Sequence, residues 1–150
     1  MRQVVYSSVA RGPHLSTREL HEMLGAFRSN NLQFGITGLL LHSHGRFLQL
    51  VEGGAAEVDR LIARISADPR HFDLRGRSLT FPGRLFAHWS MAFVDIDAAP
   101  HSSAGFAGRS PNIDLHVMDE DTIADLLLHF SNEAASDRNL HVGDSVIAPM

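Results

Sequence analysis

Two side chains have the type and setting for chemistry. Tyr6 is the single tyrosine among 150 residues, and Gln49 stands in the middle of Gly45-Arg46-Phe47-Leu48-Gln49-Leu50-Val51-Glu52-Gly53. That segment reads as a strand bounded by glycines, with Phe47, Gln49 and Val51 on one face and Leu48, Leu50 and Glu52 on the other. Both faces are largely apolar, so the strand is central and its amide buried. Left without partners, the amide costs about 1 to 3 kcal/mol, and its ordinary fate is a bond to backbone or water. A tyrosine on a neighbouring strand would change the chemistry. A redox-capable hydroxyl would then meet a group able both to donate and to accept, although a buried tyrosine often does no more than find a partner for its hydroxyl.

The other polar or aromatic positions have a functional and a structural reading. Asn30-Asn31 closes a helical pattern, where asparagine also serves as a helix terminator. Trp89 and Met91 lead into a predicted strand and read first as core. His42 and His44 share a strand face but flank a turn and lack a third ligand, so they make no metal site.

The elements that must position these residues follow from periodicity. Arg2 to Ser8 reads as a strand, with Val4 and Tyr6 on one face and Val5 on the other. A loop marked by Gly12-Pro13 follows. Ser16-Thr17-Arg18-Glu19 forms a capping box, and Leu20, Met23, Leu24 and Phe27 give a helix ending near Ser29-Asn30-Asn31. Ile36 to Ser43 is an apolar strand joined through His44-Gly45 to the Gln49 strand as a hairpin. Val58, Leu61, Ile62 and Ile65 mark a second helix, stopped at Asp68-Pro69. Leu74 to Phe81 and Ser90 to Ile96 read as further strands. The order is β-α-β-β-α-β plus one strand, an α+β fold of the ferredoxin-like pattern, in which the first and third strands are the adjacent central pair. Tyr6 and Gln49 could then touch.

From Asp97 to Val117 the chain has no periodicity and reads as a long connection. Asp119 can cap a last helix with Ile123, Leu126, Leu127 and Phe130 at helical spacing. This amphipathic helix is predicted to cover the sheet face of Val5, Leu48 and Leu50. Ser136 to Met150 reads as loosely ordered.

Composition removes several function classes. All 13 positive side chains are arginines and there is no cysteine, which excludes Schiff-base lysines, phosphate-loop lysines, thiol catalysis and thiolate metal sites. A net charge of -4, with no arginine-rich window, argues against nucleic acid as a partner. No stretch approaches the roughly 18 apolar residues of a membrane span, and no secretory run opens the chain. A soluble, cytoplasmic protein is expected.

Several motifs together carry a family resemblance: Val-Tyr-Ser-Ser at 5 to 8, Asn-Asn-x-x-x-Gly-Ile-Thr-Gly from 30, Gly-Arg-Phe-Leu-Gln-Leu-Val-Glu-Gly from 45, Asp-Pro-Arg-His from 68 and Trp-Ser-Met from 89. In order and spacing this set resembles the BLUF domain, a family of blue-light sensors that use FAD, over about the first 95 residues. The resemblance implies a flavin-binding photosensor core over 1–97 and, as in the short members, a linker and helical cap over 98–150. It further implies that the flavin stands between the two helices, with Gln49 between the Tyr6 hydroxyl and the ring. Asn31 would bond the polar edge of the flavin, Asn30 would lie beside it, and Ile36 would pack on the ring. Arg64, Asp68 and His71 would line the second helix side, with Trp89 and Met91 near the photoactive centre. FAD would be held non-covalently, since no cysteine is present to form a thioether. The chain would be a photoswitch and not an enzyme, signalling to a downstream protein and working as a homo-oligomer. The rivals are a light-independent hydrolase or ligand-binding module on the same fold. A hydrolase of this type needs a glycine-rich anion loop after the first strand, for which Ala10-Arg11-Gly12 is a poor match.

Overall fold

The computed structural model describes residues 1–11, 16–96, 113–136, 140–142 and 145–147. Its elements are β1 (Arg2–Ala10), α1 (Thr17–Gln33), β2 (Thr37–Ser43), β3 (Arg46–Gly53), α2 (Ala55–Ser66), β4 (His71–Leu79), β5 (Ala92–Asp95), α3 (Glu120–Ser136), β6 (Leu140–Val142) and β7 (Ser145–Ile147). Five strands form one sheet in the order β4-β1-β3-β2-β5. β1 through β4 are antiparallel to their neighbours, and β5 joins the β2 edge in parallel. This is the ferredoxin-like sheet with an added strand.

Local chemistry explains the main boundaries. The capping box forms as predicted: the Glu19 N–H donates to Ser16 Oγ at 3.1 Å, and Glu19 Oε2 accepts from the Ser16 N–H at 3.0 Å. His44 and Gly45 both have positive φ, 51° and 74°, which gives the two-residue turn whose twist suits a hairpin. Within β2, a Cβ on Gly38 would lie 2.0 Å from the Leu50 carbonyl oxygen, so only glycine lets β3 approach there.

Four expectations need correction, the first being β4, which runs from His71 to Leu79 and not from Leu74 to Phe81. α1 continues to Gln33, so Asn30 and Asn31 lie inside its last turn and not past its end. β5 begins at Ala92 and not at Ser90, which leaves Trp89 and Met91 ahead of the strand. The C-terminal stretch is not without elements, because β6 and β7 pair as a small antiparallel hairpin. The predicted loop at Gly12-Pro13, and the connection from Asp97 as far as residue 112, lie outside the described residues.

The sheet has two covered faces. Val5, Leu39, Leu41, Leu48 and Leu50 on one face are essentially inaccessible. The segment before α3 is fastened to that face: the Leu115 N–H donates to Ser7 Oγ at 3.2 Å, and Asp114 lies 3.4 Å from Arg46 Nη1. The stripe Ile123, Leu126, Leu127 and Phe130 of α3 is completely buried in the same core, and Ser131 Oγ donates to the Leu85 carbonyl. The cap is therefore on the face predicted for it. The opposite face carries Val4, Tyr6, Ser8, Leu40, Phe47, Gln49 and Val51 beneath α1 and α2.

Candidate functional site

Tyr6 and Gln49 are direct register partners across the central β1–β3 pair. Both are buried, and the Tyr6 hydroxyl donates to Gln49 Oε1. On its other side Gln49 Nε2 donates to the Met91 thioether sulfur at 3.5 Å. A thioether can only accept, so Met91 fixes which end of the amide faces it. Rotating the amide would turn its oxygen toward the sulfur, acceptor against acceptor, and its NH₂ toward the phenol. The array thus has two distinct hydrogen-bonding arrangements. Burial drives the Tyr6 phenol well above its ordinary pKa, and the Asp68 carboxylate adds to that shift. The proton therefore stays on Tyr6 in the resting protein.

Beside this array a cavity opens between the helices. Its wall combines Met23 and Phe27 of α1, Ile65 of α2, Leu40 of β2, Phe47 of β3 and Ala10 of β1. Polar side chains also line it: Tyr6, Ser8, Gln49, Arg11, Asp68, Arg70 and His71. The apolar wall suits a ring system, with Arg11 a cation beside the Arg70–Asp68 ion pair.

A β-bulge aims one of these residues. β1 pairs with β4 as Ser7↔Arg75 and then as Val9↔Phe72, a slip of one residue that includes Asp73 at φ 54°. The slip sets His71 opposite Ala10, on the same face as Tyr6 and Ser8. Without it His71 would oppose Arg11 and turn to the other face. His71 Nε2 lies 2.7 Å from the Ile65 carbonyl, which joins β4 to the end of α2. Arg70 holds Asp68 through both its side chain and its N–H, so the Asp68 carboxyl sits below its ordinary pKa mainly through the hydrogen bond from the Arg70 side chain.

Of the predicted site residues, Tyr6, Gln49, Asp68 and His71 line the cavity, and Met91 touches Gln49. Asn31 is buried; its Nδ2 donates to the Ser90 carbonyl at 2.8 Å, while Oδ1 has no partner among the described residues. Asn30 Oδ1 accepts from Arg64 Nη1 at 2.7 Å and so bridges α1 to α2, away from the cavity wall. Ile36 and Trp89 are buried in the core outside that wall. The Trp89 carbonyl accepts from the Gly38 N–H at 3.1 Å.

Sequence reasoning missed Ser8, Arg11, Met23, Arg70 and Arg28. Ser8 Oγ is buried without a partner among the described residues, and Arg28 Nε donates to the Met91 carbonyl. The alternation of β1 could have revealed Ser8, two residues beyond Tyr6. Nothing local marks Arg28.

Comparison with known proteins agrees with this architecture. The family model BLUF, sensors of blue-light using FAD, matches residues 1–92. Photoactivated adenylate cyclase subunit alpha of Euglena gracilis is 36% identical over 101 residues, 65% of this chain and 10% of its own length. The blue light- and temperature-regulated antirepressor BluF of Escherichia coli is 30% identical over 80 residues, 53% of this chain and 20% of its own. The chain therefore spans a small fraction of these curated relatives. Among solved structures, the dark state of BlrB, a BLUF protein, superposes with a TM-score of 0.74 at 26% identity, covering 88% of this chain and 96% of that one. A bacterial light-regulated adenylyl cyclase gives 0.59 at 26% identity, covering 90% and 35%.

Proposed function

This chain belongs to the BLUF family, sensors of blue light using FAD, and from that premise we propose that Tyr6, Gln49 and Met91 form its switch. The observation that carries the proposal is the continuous buried chain from the Tyr6 hydroxyl through the Gln49 amide to the Met91 sulfur.

The residues present fit the cofactor. Unpartnered buried polar atoms call for an explanation, and Asn31 Oδ1 and Ser8 Oγ both stand on the helix-covered side with none among the described residues. A ring with polar edges would supply it. Asn31 would hold that edge, Asp68, Arg70 and His71 the tail side, and Ile36 the packing beneath α1; Asn30 and Arg64 would keep the two helices in register. FAD would be held non-covalently, since the chain has no cysteine. Bound flavin supplies blue-light absorption and a one-electron acceptor.

The chain's own residues then act in sequence. Tyr6 is the sole phenol available as an electron donor. Once oxidised it becomes a strong acid, and its O–H has one accepting partner among the described residues, Gln49 Oε1. When Tyr6 has regained both its electron and its proton, the amide can settle in its alternative arrangement, with its donor turned from Met91 to the phenol. The low dielectric around the buried pair makes each arrangement distinct.

Residues 1–97 serve as the sensor and 98–150 as the cap through which a change leaves the sheet. The output is passed to a partner protein, and the chain works as a homo-oligomer. Relatives named as a photoactivated adenylate cyclase and as a blue light- and temperature-regulated antirepressor support an output of this kind. Nucleic acid is disfavoured as a direct partner by the net charge of -4, and no helix among the described residues is long and apolar enough to cross a membrane.

Light-minus-dark absorption spectra of the FAD-loaded chain test this reading. The wild type should show a reversible red shift. Gln49→Leu removes every donor and acceptor at similar volume, and Tyr6→Phe removes only the hydroxyl, so both should bind FAD and lose the shift. A normal difference spectrum in either variant would overturn the assignment.

A further inference from the structure

Met91 stands one residue before the ladder of β5 begins at Ala92, so strand pairing does not fix its orientation. Helix α1 does. Asn31 Nδ2 donates to the Ser90 carbonyl at 2.8 Å, and Arg28 Nε donates to the Met91 carbonyl at 3.1 Å. These two carbonyls belong to the peptide units on either side of the Met91 α-carbon. Holding both units fixes the direction in which the side chain leaves the backbone, and that direction brings the sulfur to Gln49 Nε2.

Arg28 is an unusual choice for this task. Its guanidinium is half-buried, burial lowers its pKa, and Nη2 is enclosed without a partner among the described residues. Taking a charge partly out of water to bind a single carbonyl has a cost, which a purely packing role would avoid with an apolar residue.

We propose that Arg28 is a positioning residue for the switch: by holding the Met91 carbonyl it keeps the thioether against the Gln49 amide and so favours the resting arrangement of that amide. The proposal rests on Gln49 being the switch. It predicts that Arg28 acts on the return to the dark state through Met91 and through no other contact.

The test is the rate of dark recovery after a blue flash in the FAD-loaded full chain, read as a double-mutant cycle. Arg28→Met keeps the stem and removes the donor. Recovery should slow roughly tenfold, the scale of one hydrogen bond from a charged donor, because the arrangement being restored has lost the contact that selects it. Arg28→Gln keeps an N–H at the same number of bonds from Cα as Arg28 Nε, and it should recover within about twofold of the wild type if the bond and not the charge is what matters. Met91→Leu should slow recovery comparably, and adding Arg28→Met to it should change nothing further. Unaltered recovery in Arg28→Met, or additive slowing in the double variant, would overturn the proposal while leaving Gln49 as the switch. A wild type with no light-induced shift would overturn both. Should Arg28→Met not retain FAD, Arg28→Ala, which admits water at the Met91 carbonyl, replaces it under the same criteria.

Discussion

At the scale of single residues, the proposed switch requires a phenol that keeps its proton until light acts. Desolvation and the nearby Asp68 carboxylate raise the Tyr6 pKa above the ordinary 10.0. Below that ordinary value the phenol is neutral whether folded or unfolded, so it makes no pH-dependent difference to stability. As pH rises beyond it the unfolded chain ionises first, and stability falls until the raised folded value is reached. With a single tyrosine in the sequence, the near-ultraviolet phenolate band reports Tyr6 alone. Measured against Tyr6→Phe as the blank, that band should stay absent above pH 10 for as long as circular dichroism shows a folded chain. A phenolate titrating at the ordinary value in the folded state would mean that the hydroxyl meets water. Tyr6 and Gln49 were legible in the sequence because alternation along two short strands fixes their face, and the topology makes those strands neighbours. Arg28 was not, because its partner is a backbone carbonyl 63 positions away, and any residue type offers the same carbonyl.

At the scale of elements, the strand that carries Gln49 also ends in a buried carboxylate. Glu52 is fully enclosed on the cap side of the sheet. It accepts from Gln3 Nε2 at 2.9 Å, Thr37 Oγ1 at 3.1 Å and the N–H groups of Leu85 and Phe86 at 2.6 and 3.0 Å. Arg84 adds bonds to Thr37 Oγ1, the Gly35 carbonyl and the Glu52 carbonyl. One side chain thereby ties β1, β2 and the turn at 84–86 together, and that turn leads directly to Trp89 and Met91. Glu52→Ala would strand the Leu85 and Phe86 N–H groups and the Thr37 hydroxyl, while Gln3 Nε2 keeps the Gly83 carbonyl, so the chain should lose roughly 3 kcal/mol of stability, measured by denaturant unfolding. A loss under about 1 kcal/mol would show that water replaces the carboxylate. The sequence placed Glu52 on the correct face, but nothing beside it in the chain identifies its partners. Its role depends on donors from a loop with no periodic pattern. The bulge in β4 was hidden for a related reason: its positive φ falls on Asp73 and not on a glycine.

At the scale of the whole molecule, the proposed switch requires that a rearranged amide on one face of the sheet be felt on the other. Gln49 projects toward α1 and α2, while its chain neighbours Leu48 and Leu50 project into the core beneath α3. A displacement of β3 or of the Met91 backbone therefore reaches the cap through one layer of side chains, with no long path required. Among the described residues the cap is held by its buried apolar stripe and by polar contacts that include Leu115 to Ser7, Asp114 to Arg46 and Ser131 to Leu85. Such an attachment can shift by small amounts without exposing an unpaired charge in the interior. Removing the residues after Asp97 should accordingly leave the spectral photocycle largely intact, because the Tyr6, Gln49 and Met91 array is built wholly from the first 91 residues. The same truncation would bare Val5, Leu39, Leu41, Leu48 and Leu50, a contiguous apolar face that promotes association. Lower solubility and a larger mass by light scattering are the expected result. In the full chain, amide hydrogen exchange should differ between dark and illuminated samples within residues 119–132, as local opening of the cap follows the state of the sheet. Equal protection of that helix in both states, with the photocycle present, would mean that the signal leaves through α1, α2 or the β4 edge instead.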